Sequence, residues 1–381
     1  MKIALVHDYL REYGGAERVV EAMHELWPEA PLYTAFIDWD SLGRHAERFK
    51  SWDIRTSWVQ GNPLVKKFIS PLRFLAPKIW ESFSAKGGSA SGGDLSEYDL
   101  VISSSGWFMC RGVIVKKPAI HICYIHHPPR NLYGYATGSD LQKYWPVRAY
   151  AAIINFFLRH YDFETAQKVD YFIANSKETA RRVEKFYRRE STVIYPPIEI
   201  SQGLALRTQG EALRKREYYL SVGRLTYAKR VDLAIEACNQ LKLPLKIVGA
   251  GKEESSLRAI AGPTIEFLGA VSDEELARLY AGAKALIFCA LDEDFGMVPV
   301  EAMSHGTPVI ALAQGGVLET LIEGKTGVFF DKPEVGELVG AIKRFNNNYK
   351  IYKDYNCYKQ ARKFSKERFQ KELKAFVEHK L

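Results

Sequence analysis

The sequence predicts an α/β protein built from two doubly wound, Rossmann-like domains, each with a parallel sheet. Three observations carry that prediction. Short apolar runs alternate with amphipathic stretches along the chain, the pattern that strand–helix–strand crossovers impose. The alternation pauses across a polar connection at residues 200–216 and then begins again. The length of 381 residues, 47% of them hydrophobic, is enough for two cores. Strands are expected at 3–6, 100–103, 120–125, 171–174 and 192–195 in the first part. In the second part they are expected at 218–222, 245–248, 265–268, 285–290, 309–312 and 328–330. The domains are therefore read as 1–200 and 201–359, followed by a charged, helix-like segment from about 360 to 381. The glycine- and serine-rich run at 86–93 is read as a mobile loop. In open parallel sheets ligands sit at the carboxyl ends of the strands, so an active site is expected in the cleft between the domains.

The residues that follow those strands, taken in order, carry the chemistry. Gly14-Gly15 precedes a helical pattern at 16–26. Two glycines let backbone approach a ligand closely, and they serve equally well a tight turn with positive φ. The strand at 120–125 ends in His126-His127-Pro128-Pro129-Arg130. An isolated histidine there is more often structural, but a strand end facing a cleft is also where a bound ligand would be touched. The strand at 218–222 is followed by Gly223-Arg224 and by Lys229-Arg230 at the start of a helical pattern at 231–241. Cations at a helix N-terminus oppose the macrodipole, and a bound diphosphate would neutralise them. Arg224 and Lys229 are candidate diphosphate clamps on that ground; as solvated surface cations they would need no ligand.

The apolar run at 285–290 leads into Glu293-Asp294-Phe295-Gly296-Met297-Val298-Pro299-Val300-Glu301. Pro299 suits the first position of a helix and Gly306 its end. The turn would then present the backbone N–H groups of Phe295, Gly296, Met297 and Val298 at a helix N-terminus, where unpaired donors and the dipole favour phosphate. Glu301, in the first turn, can accept hydrogen bonds from a ribose diol, and Glu293, before the turn, can hold sugar hydroxyls. Two isolated glutamates at this spacing would more ordinarily complement the dipole and face water.

Composition narrows the partners. The formal net charge of +8 favours anions, but Lys and Arg are spread along the chain without a nucleic-acid motif, so a nucleotide diphosphate and an anionic membrane surface fit better. Five widely spaced cysteines point to neither a disulfide framework nor a zinc knuckle and suit a reducing cytoplasm. No run reaches membrane-spanning length and no cleavable apolar leader precedes the first strand, so a cytoplasmic protein, either soluble or peripheral on the inner face of the membrane, is expected. The interleaved apolar and basic residues at 62–83, and the basic group Lys177, Arg181, Arg182, Lys185, Arg188 and Arg189, agree with membrane contact; core packing and a solvated helix face are the alternatives. A dinucleotide GxGxxG fingerprint is absent, and Gly324-Lys325-Thr326 mimics the end of a P-loop while Glu319 stands where its first glycine would be. Redox chemistry and ATP hydrolysis are disfavoured accordingly.

The segment from Glu293 to Glu301, continued through His305-Gly306-Thr307-Pro308 and Gly315-Gly316-Val317-Leu318-Glu319, closely resembles the donor-site signature of retaining GT-B glycosyltransferases of family four. Within that family the chain is similar to bacterial mannosyltransferases that build O-antigen and related surface polysaccharides. The likeness extends to Val6-His7-Asp8-Tyr9 with Gly14-Gly15-Ala16-Glu17, to Ala174-Asn175-Ser176 and to Val193-Ile194-Tyr195-Pro196-Pro197. It implies that Arg224 and Lys229 bind the donor phosphates, that Gly15 faces them across the cleft, and that His126 contacts the transferred sugar. His127 stands where the family has a small residue, which leaves the choice between the two histidines open. The C-terminal helix is implied to cross back onto the first domain. The reaction implied is retaining transfer of a hexose, mannose from GDP-mannose above all, to a lipid-linked saccharide, by same-face attack and with no cofactor or obligatory metal. Asp38-Trp39-Asp40 resembles the metal motif of GT-A enzymes only superficially and is read as a loop. A UDP-sugar donor, a nucleotide-sugar epimerase and a catalytically silent sugar-nucleotide-binding subunit are the other readings.

Overall fold

A computed structural model describes residues 1–84, 94–138, 144–200 and 216–381, so the run at 86–93 and nearly all of the connection at 200–216 lie outside the described residues. The chain forms two units. The first comprises Met1–Tyr135, Tyr144–Pro197 and Phe369–Leu381, and the second comprises Ile198–Arg368 with a short excursion that starts at Ala136. The chain thus rejoins the first unit at Phe369 rather than near residue 360. The helix Asp354–Ala361 belongs to the second unit because it packs on the helix Met297–Ser304.

The first sheet has seven parallel strands in the order β3-β2-β1-β4-β5-β6-β7. They are β1 (Ile3–His7), β2 (Leu32–Thr34), β3 (Ile54–Thr56), β4 (Leu100–Ser105), β5 (Ile120–Ile125), β6 (Tyr171–Ala174) and β7 (Ser191–Val193). β1 and β4 are buried throughout, as strands covered on both faces must be. One face packs Leu5, Ile102 and Tyr124 against Val19, Val20 and Met23 of the helix Gly15–Leu26. The same cluster takes in Phe369, Leu373 and Val377, spaced four apart on the helix Lys366–Lys380. The opposite face buries Val6, Tyr33, Val101 and Phe108 with Ile79, Trp80 and Phe83. β2 and β3 were not expected: each has three residues without the apolar extension that Ile194 and Tyr195 give the equally short β7, and both take their place from pairing outward from β1.

The second sheet has six parallel strands in the order β10-β9-β8-β11-β12-β13. They are β8 (Tyr218–Val222), β9 (Leu245–Val248), β10 (Ile265–Gly269), β11 (Ala283–Phe288), β12 (Val309–Leu312) and β13 (Gly327–Phe330). Its core joins Tyr219, Ile247, Ile287 and Ile310 to the helices Val231–Leu241 and Val335–Asn347. Both sheets are doubly wound, and both reverse direction at one place, between β1 and β4 and between β8 and β11. Such a switch point leaves a crevice at the carboxyl ends of two neighbouring strands. The fold class is the Rossmann-like, two-domain α/β architecture.

A fully buried charged pair lies in the first unit. Arg111 and Asp162 have fully buried side chains and form an ion pair, and Tyr187 and Tyr133 add hydrogen bonds of 3.0 Å and 2.7 Å to the guanidinium and the carboxylate. Burial alone would disfavour the Arg111 charge, yet the Asp162 carboxylate outweighs it and raises the guanidinium pKa. Removing one member strands the other in a dry interior. Asp162→Ala is expected to cost about 3–5 kcal/mol of stability. Equilibrium denaturation of the variant checks this; a loss under about 1 kcal/mol would show that Arg111 finds another partner.

Candidate functional site

In the second unit the loops after β8 and β11 meet at the switch point. Gly223 and Arg224 follow β8, a single 3-10 turn holds Tyr227–Lys229, and the helix Val231–Leu241 begins after Arg230, whose φ of 46° lies in the left-handed region. Arg224 is exposed. Lys229 is half-buried; its Nζ lies 5.5 Å from the centre of the Phe288 ring and donates to Glu293 Oε2 at 2.7 Å. Two residues singled out separately in the sequence, 64 positions apart, are therefore an ion pair.

The loop carrying Glu293 is fixed from below. Asp292 adopts a φ of 50° and accepts hydrogen bonds from the backbone N–H of Ala136 and from Gln314. Phe295 is buried edge-on against Phe364. Gly315 and Gly316 press on the loop so closely that added Cβ atoms would stand 2.2 Å from the carbonyl oxygens of Glu293 and Asp294, and the Gly316 N–H donates to that of Glu293 at 2.8 Å. Only glycine fits such an approach, which gives Gly315-Gly316 a role that the motif alone did not explain.

The helix itself runs Met297–Ser304 and is preceded by Gly296 at φ 92°. Pro299 is its third residue, not its first: the left-handed turn at Gly296 brings the chain into the helix two residues earlier than the proline implied. A proline is still accommodated there because first-turn N–H groups have no partner within the helix. Met297 and Val298 therefore lead the dipole's positive end. Gly306, at φ 74°, ends the helix as expected. Glu301 is half-buried and its Oε2 accepts the Tyr280 hydroxyl at 3.0 Å. Gly324-Lys325-Thr326 is a turn leading into β13, closed by Gly324 N–H to the Gly327 carbonyl, and it opens no helix.

In the first unit the ends of β1, β4 and β5 stand side by side. His126 is buried, and its Nε2 shares a hydrogen bond with Ser104 Oγ at 2.8 Å. Ser104 also meets His7 Nδ1, through its hydroxyl at 3.2 Å and its carbonyl at 3.1 Å, and His7 Nε2 lies 3.5 Å from Glu17 Oε1. A chain of contacts, Glu17 to His7 to Ser104 to His126, thus runs through the interior. His127, only partly buried, instead bonds the Pro128 carbonyl. Asp8 anchors the neighbouring turn by accepting the N–H groups of Gly106, Phe108 and Cys110 at 2.9–3.0 Å. Gly15 is the first residue of its helix and exposed, while the Gly14 N–H donates to Glu17. Gly14 has a φ of −127° and neither glycine is left-handed, so the tight-turn explanation of the pair is withdrawn.

Sequence reasoning named neither Ser104 nor the part played by Glu17. The signal was the run Ser103-Ser104-Ser105 at the end of an otherwise apolar strand. Asp38-Trp39-Asp40 is not a loop: Asp38 caps the one-turn helix Trp39–Leu42 through Ser41 N–H and pairs with Arg11, and against the raising effect of burial the Ser41 hydrogen bonds, with Arg11 after them, hold its carboxyl below the usual range. Burial lowers the His7 pKa, but the Glu17 hydrogen bond and charge outweigh it and leave His7 above its ordinary 6.5. The pair therefore contributes stability fully below pH 6.5, and that contribution is lost as pH rises through the raised value. With Glu17→Gln the largest raising partner is gone, only Asp8 and the Ser104 carbonyl still oppose burial, and the His7 pKa should fall, a shift to be read by NMR titration of the imidazole. An unchanged His7 titration would show that Glu17 does not control it.

Comparison with known proteins bears on the fold and the family. Residues 205–364 match the family described as glycosyl transferases group 1, and residues 13–202 match glycosyltransferase family 4. A D-inositol 3-phosphate glycosyltransferase of Nocardioides is 26% identical over 49% of this chain and 48% of its own length. A glycogen synthase of Thermus thermophilus is 40% identical over 32% of this chain and 30% of its own. The chain thus spans about half, or less, of those relatives. The alpha-1,3/1,6-mannosyltransferase ALG2 of Kluyveromyces lactis is 24% identical over 84% of this chain and 71% of its own length. Among solved structures, sucrose-phosphate synthase of Thermosynechococcus elongatus superposes with a TM-score of 0.73 at 18% identity, covering 100% of this chain and 99% of that one. Anabaena HepE in complex with UDP gives 0.68 at 18% identity, with both chains fully covered. With two Rossmann-like sheets and a family match running from residue 13 to residue 364, the chain belongs to the GT-B glycosyltransferases of group 1 and family 4.

Proposed function

We propose that the protein is a retaining hexosyltransferase that moves mannose from GDP-mannose to a hydroxyl of a lipid-linked saccharide, without a cofactor or an obligatory metal. The observation that carries this reading is the pairing of Lys229 with Glu293 beside the N-terminus of the helix Met297–Ser304. Likeness to a mannosyltransferase over most of the chain supports the choice of sugar. A UDP-sugar is the alternative donor, because the HepE neighbour was solved with UDP.

Breaking the bond at the anomeric carbon leaves positive charge on the sugar and negative charge on the nucleotide diphosphate. Lys229 carries three N–H donors and gives one to Glu293, so the others remain to meet a phosphate. Arg224 on the same loop, and the leading N–H groups of Met297 and Val298, would add to that stabilisation of the leaving group. Glu293 would then hold both the lysine and the hydroxyls of the transferred sugar. Glu301, which the structure puts in the second turn of that helix and not the first, would accept the ribose. By resemblance His126 touches the sugar and Gly15 the donor phosphate, and the chain from Glu17 through His7 and Ser104 would keep the His126 ring in one orientation. The departing phosphate itself takes the proton from the acceptor hydroxyl, which attacks from the same face.

Mass spectrometry of products from a panel of nucleotide sugars and lipid-linked acceptors, run in EDTA, tests the whole reading. Mannose transfer from GDP-mannose is the expected product, and strict dependence on an added metal would sink the electrostatic account. Under the same conditions Lys229→Ala should lower turnover by about a hundredfold, the loss expected on removing a preorganised donor to developing charge. Near-normal turnover at saturating donor would remove Lys229 from the site. The two glutamates should separate: Glu301→Gln weakens GDP binding and turnover together, whereas Glu293→Gln spares GDP affinity and lowers transfer. Calorimetry with GDP beside turnover decides it, and equal loss of GDP affinity would show their roles to be misassigned.

A further inference from the structure

The helix Trp145–Lys168 leaves large apolar side chains on its outer face. Its inward face carries Asn155, Asp162 and Thr165 beside Leu158 and Ala166, all buried, while Trp145, Ile153, Phe156 and Phe157 are 72%, 61%, 66% and 64% exposed. The inward polar groups are accounted for. Asn155 accepts from Arg73 and donates to the Asn131 carbonyl, Asp162 holds Arg111, and the Thr165 hydroxyl donates to the Asp162 carbonyl. The outward rings have no such purpose in water. Trp145 and Phe156 are 11 residues apart and so lie within about 20° of one another around the helix axis. A surface helix bathed only in water shows the reverse arrangement.

The neighbouring segment divides the same way. It is tied to this helix by Arg73 to Asn155 and by the Tyr150 hydroxyl to the Pro71 carbonyl. Val65, Ile69, Ile79 and Trp80 enter the core, whereas Leu64, Phe68 and Phe74 are 67%, 48% and 44% exposed. Charge is one-sided. From Asn62 to Lys78 the ionic residues are Lys66, Lys67, Arg73 and Lys78, with no carboxylate, and on the exposed side of the helix Arg148 and Arg159 are joined by one carboxylate, Glu164, which pairs with His160 at 3.1 Å. The other basic group expected to meet a membrane is largely engaged elsewhere. Arg182 is buried against Glu178 and the Tyr135 ring, Arg181 grips Glu178 with two nitrogens, and Arg189 donates to the carbonyls of Ala166 and Val169.

We infer that the outer face of the helix Trp145–Lys168, with the adjoining segment from Asn62 to Lys78, docks on an anionic lipid bilayer. Aromatic and aliphatic side chains bordered by cations suit the boundary between headgroups and acyl chains. Among the described residues no helix is long and apolar enough to cross a membrane, so the contact lies along the surface. A second copy of the chain is the poorer occupant, because a twofold contact through this face would bring the same cations together. The inference is independent of the reaction, since it is read without any substrate.

Co-sedimentation with vesicles tests it, using phosphatidylcholine alone and phosphatidylcholine mixed equally with phosphatidylglycerol. The protein should bind the mixed vesicles and prefer them to the neutral ones. Phe156→Ser with Phe157→Ser should weaken that binding at least about tenfold, and Lys67→Glu with Arg148→Glu should abolish the preference for the anionic lipid. Circular dichroism and melting temperature confirm folding, and Trp145→Ser, at the start of the helix, supplies a second reading if the double variant fails to fold. Absence of binding, or equal binding by the folded variants, overturns the proposal. So does a dimer seen by light scattering that the serine variants dissociate while vesicles remain unbound.

Discussion

Parallel strands place all their carboxyl ends on one edge, and the second unit uses that constraint at the point where its sheet reverses. β8 and β11 are far apart in sequence yet share a ladder, so the loop after each must leave beside the other. Lys229 and Glu293 meet for that reason and not through any local signal. Everything else near them, from the Asp292 contacts to the burial of Phe295, holds the second loop where the first can reach it. Had the sheet continued in one direction, the lysine and the glutamate would have fallen on opposite sides of an intervening strand.

The first unit repeats the topology with different contents. The strand ends flanking its reversal hold a buried carboxylate, Asp8, that spends its oxygens on three backbone N–H groups. It fixes a loop rather than facing water, and it sits beside the row from Glu17 to His126. The second unit keeps its ion pair partly exposed, with the lysine side chain 26% accessible, where charge can still respond to a ligand. One unit has its ionisable groups locked and the other has them available, a division that follows from depth and not from residue type.

Much of this was legible in the sequence. The apolar runs located the strands from Ile3 to Phe330 that are four or more residues long, and the short β7 besides, because a buried parallel strand has little choice but Val, Ile, Leu and their like. β2 and β3 were illegible because three residues without an apolar extension carry no period and owe their conformation to a neighbour. The motif around Glu293 revealed its acids and glycine but not their partners, since Lys229 is brought there by sheet pairing and Gly315 by the packing of a later loop. The basic residues at 177–189 misled in part: composition cannot tell a guanidinium in water from one folded back onto a glutamate, a tyrosine ring or a row of carbonyls. The helix Trp145–Lys168 was missed altogether, because a pattern with apolar residues outward looks from sequence alone like one with apolar residues inward.

The helix Lys366–Lys380 also bears on how the chain is made. Phe369, Leu373 and Val377 complete the hydrophobic cluster that begins at Ile3. Residues of the first unit therefore emerge from the ribosome long before the side chains that finish their core, with the whole second unit synthesised in between. During that interval the cluster that Leu5, Ile102 and Tyr124 share with Val19, Val20 and Met23 lacks its last three members, so the unit made first is completed last, and part of its apolar surface stays open until the helix arrives.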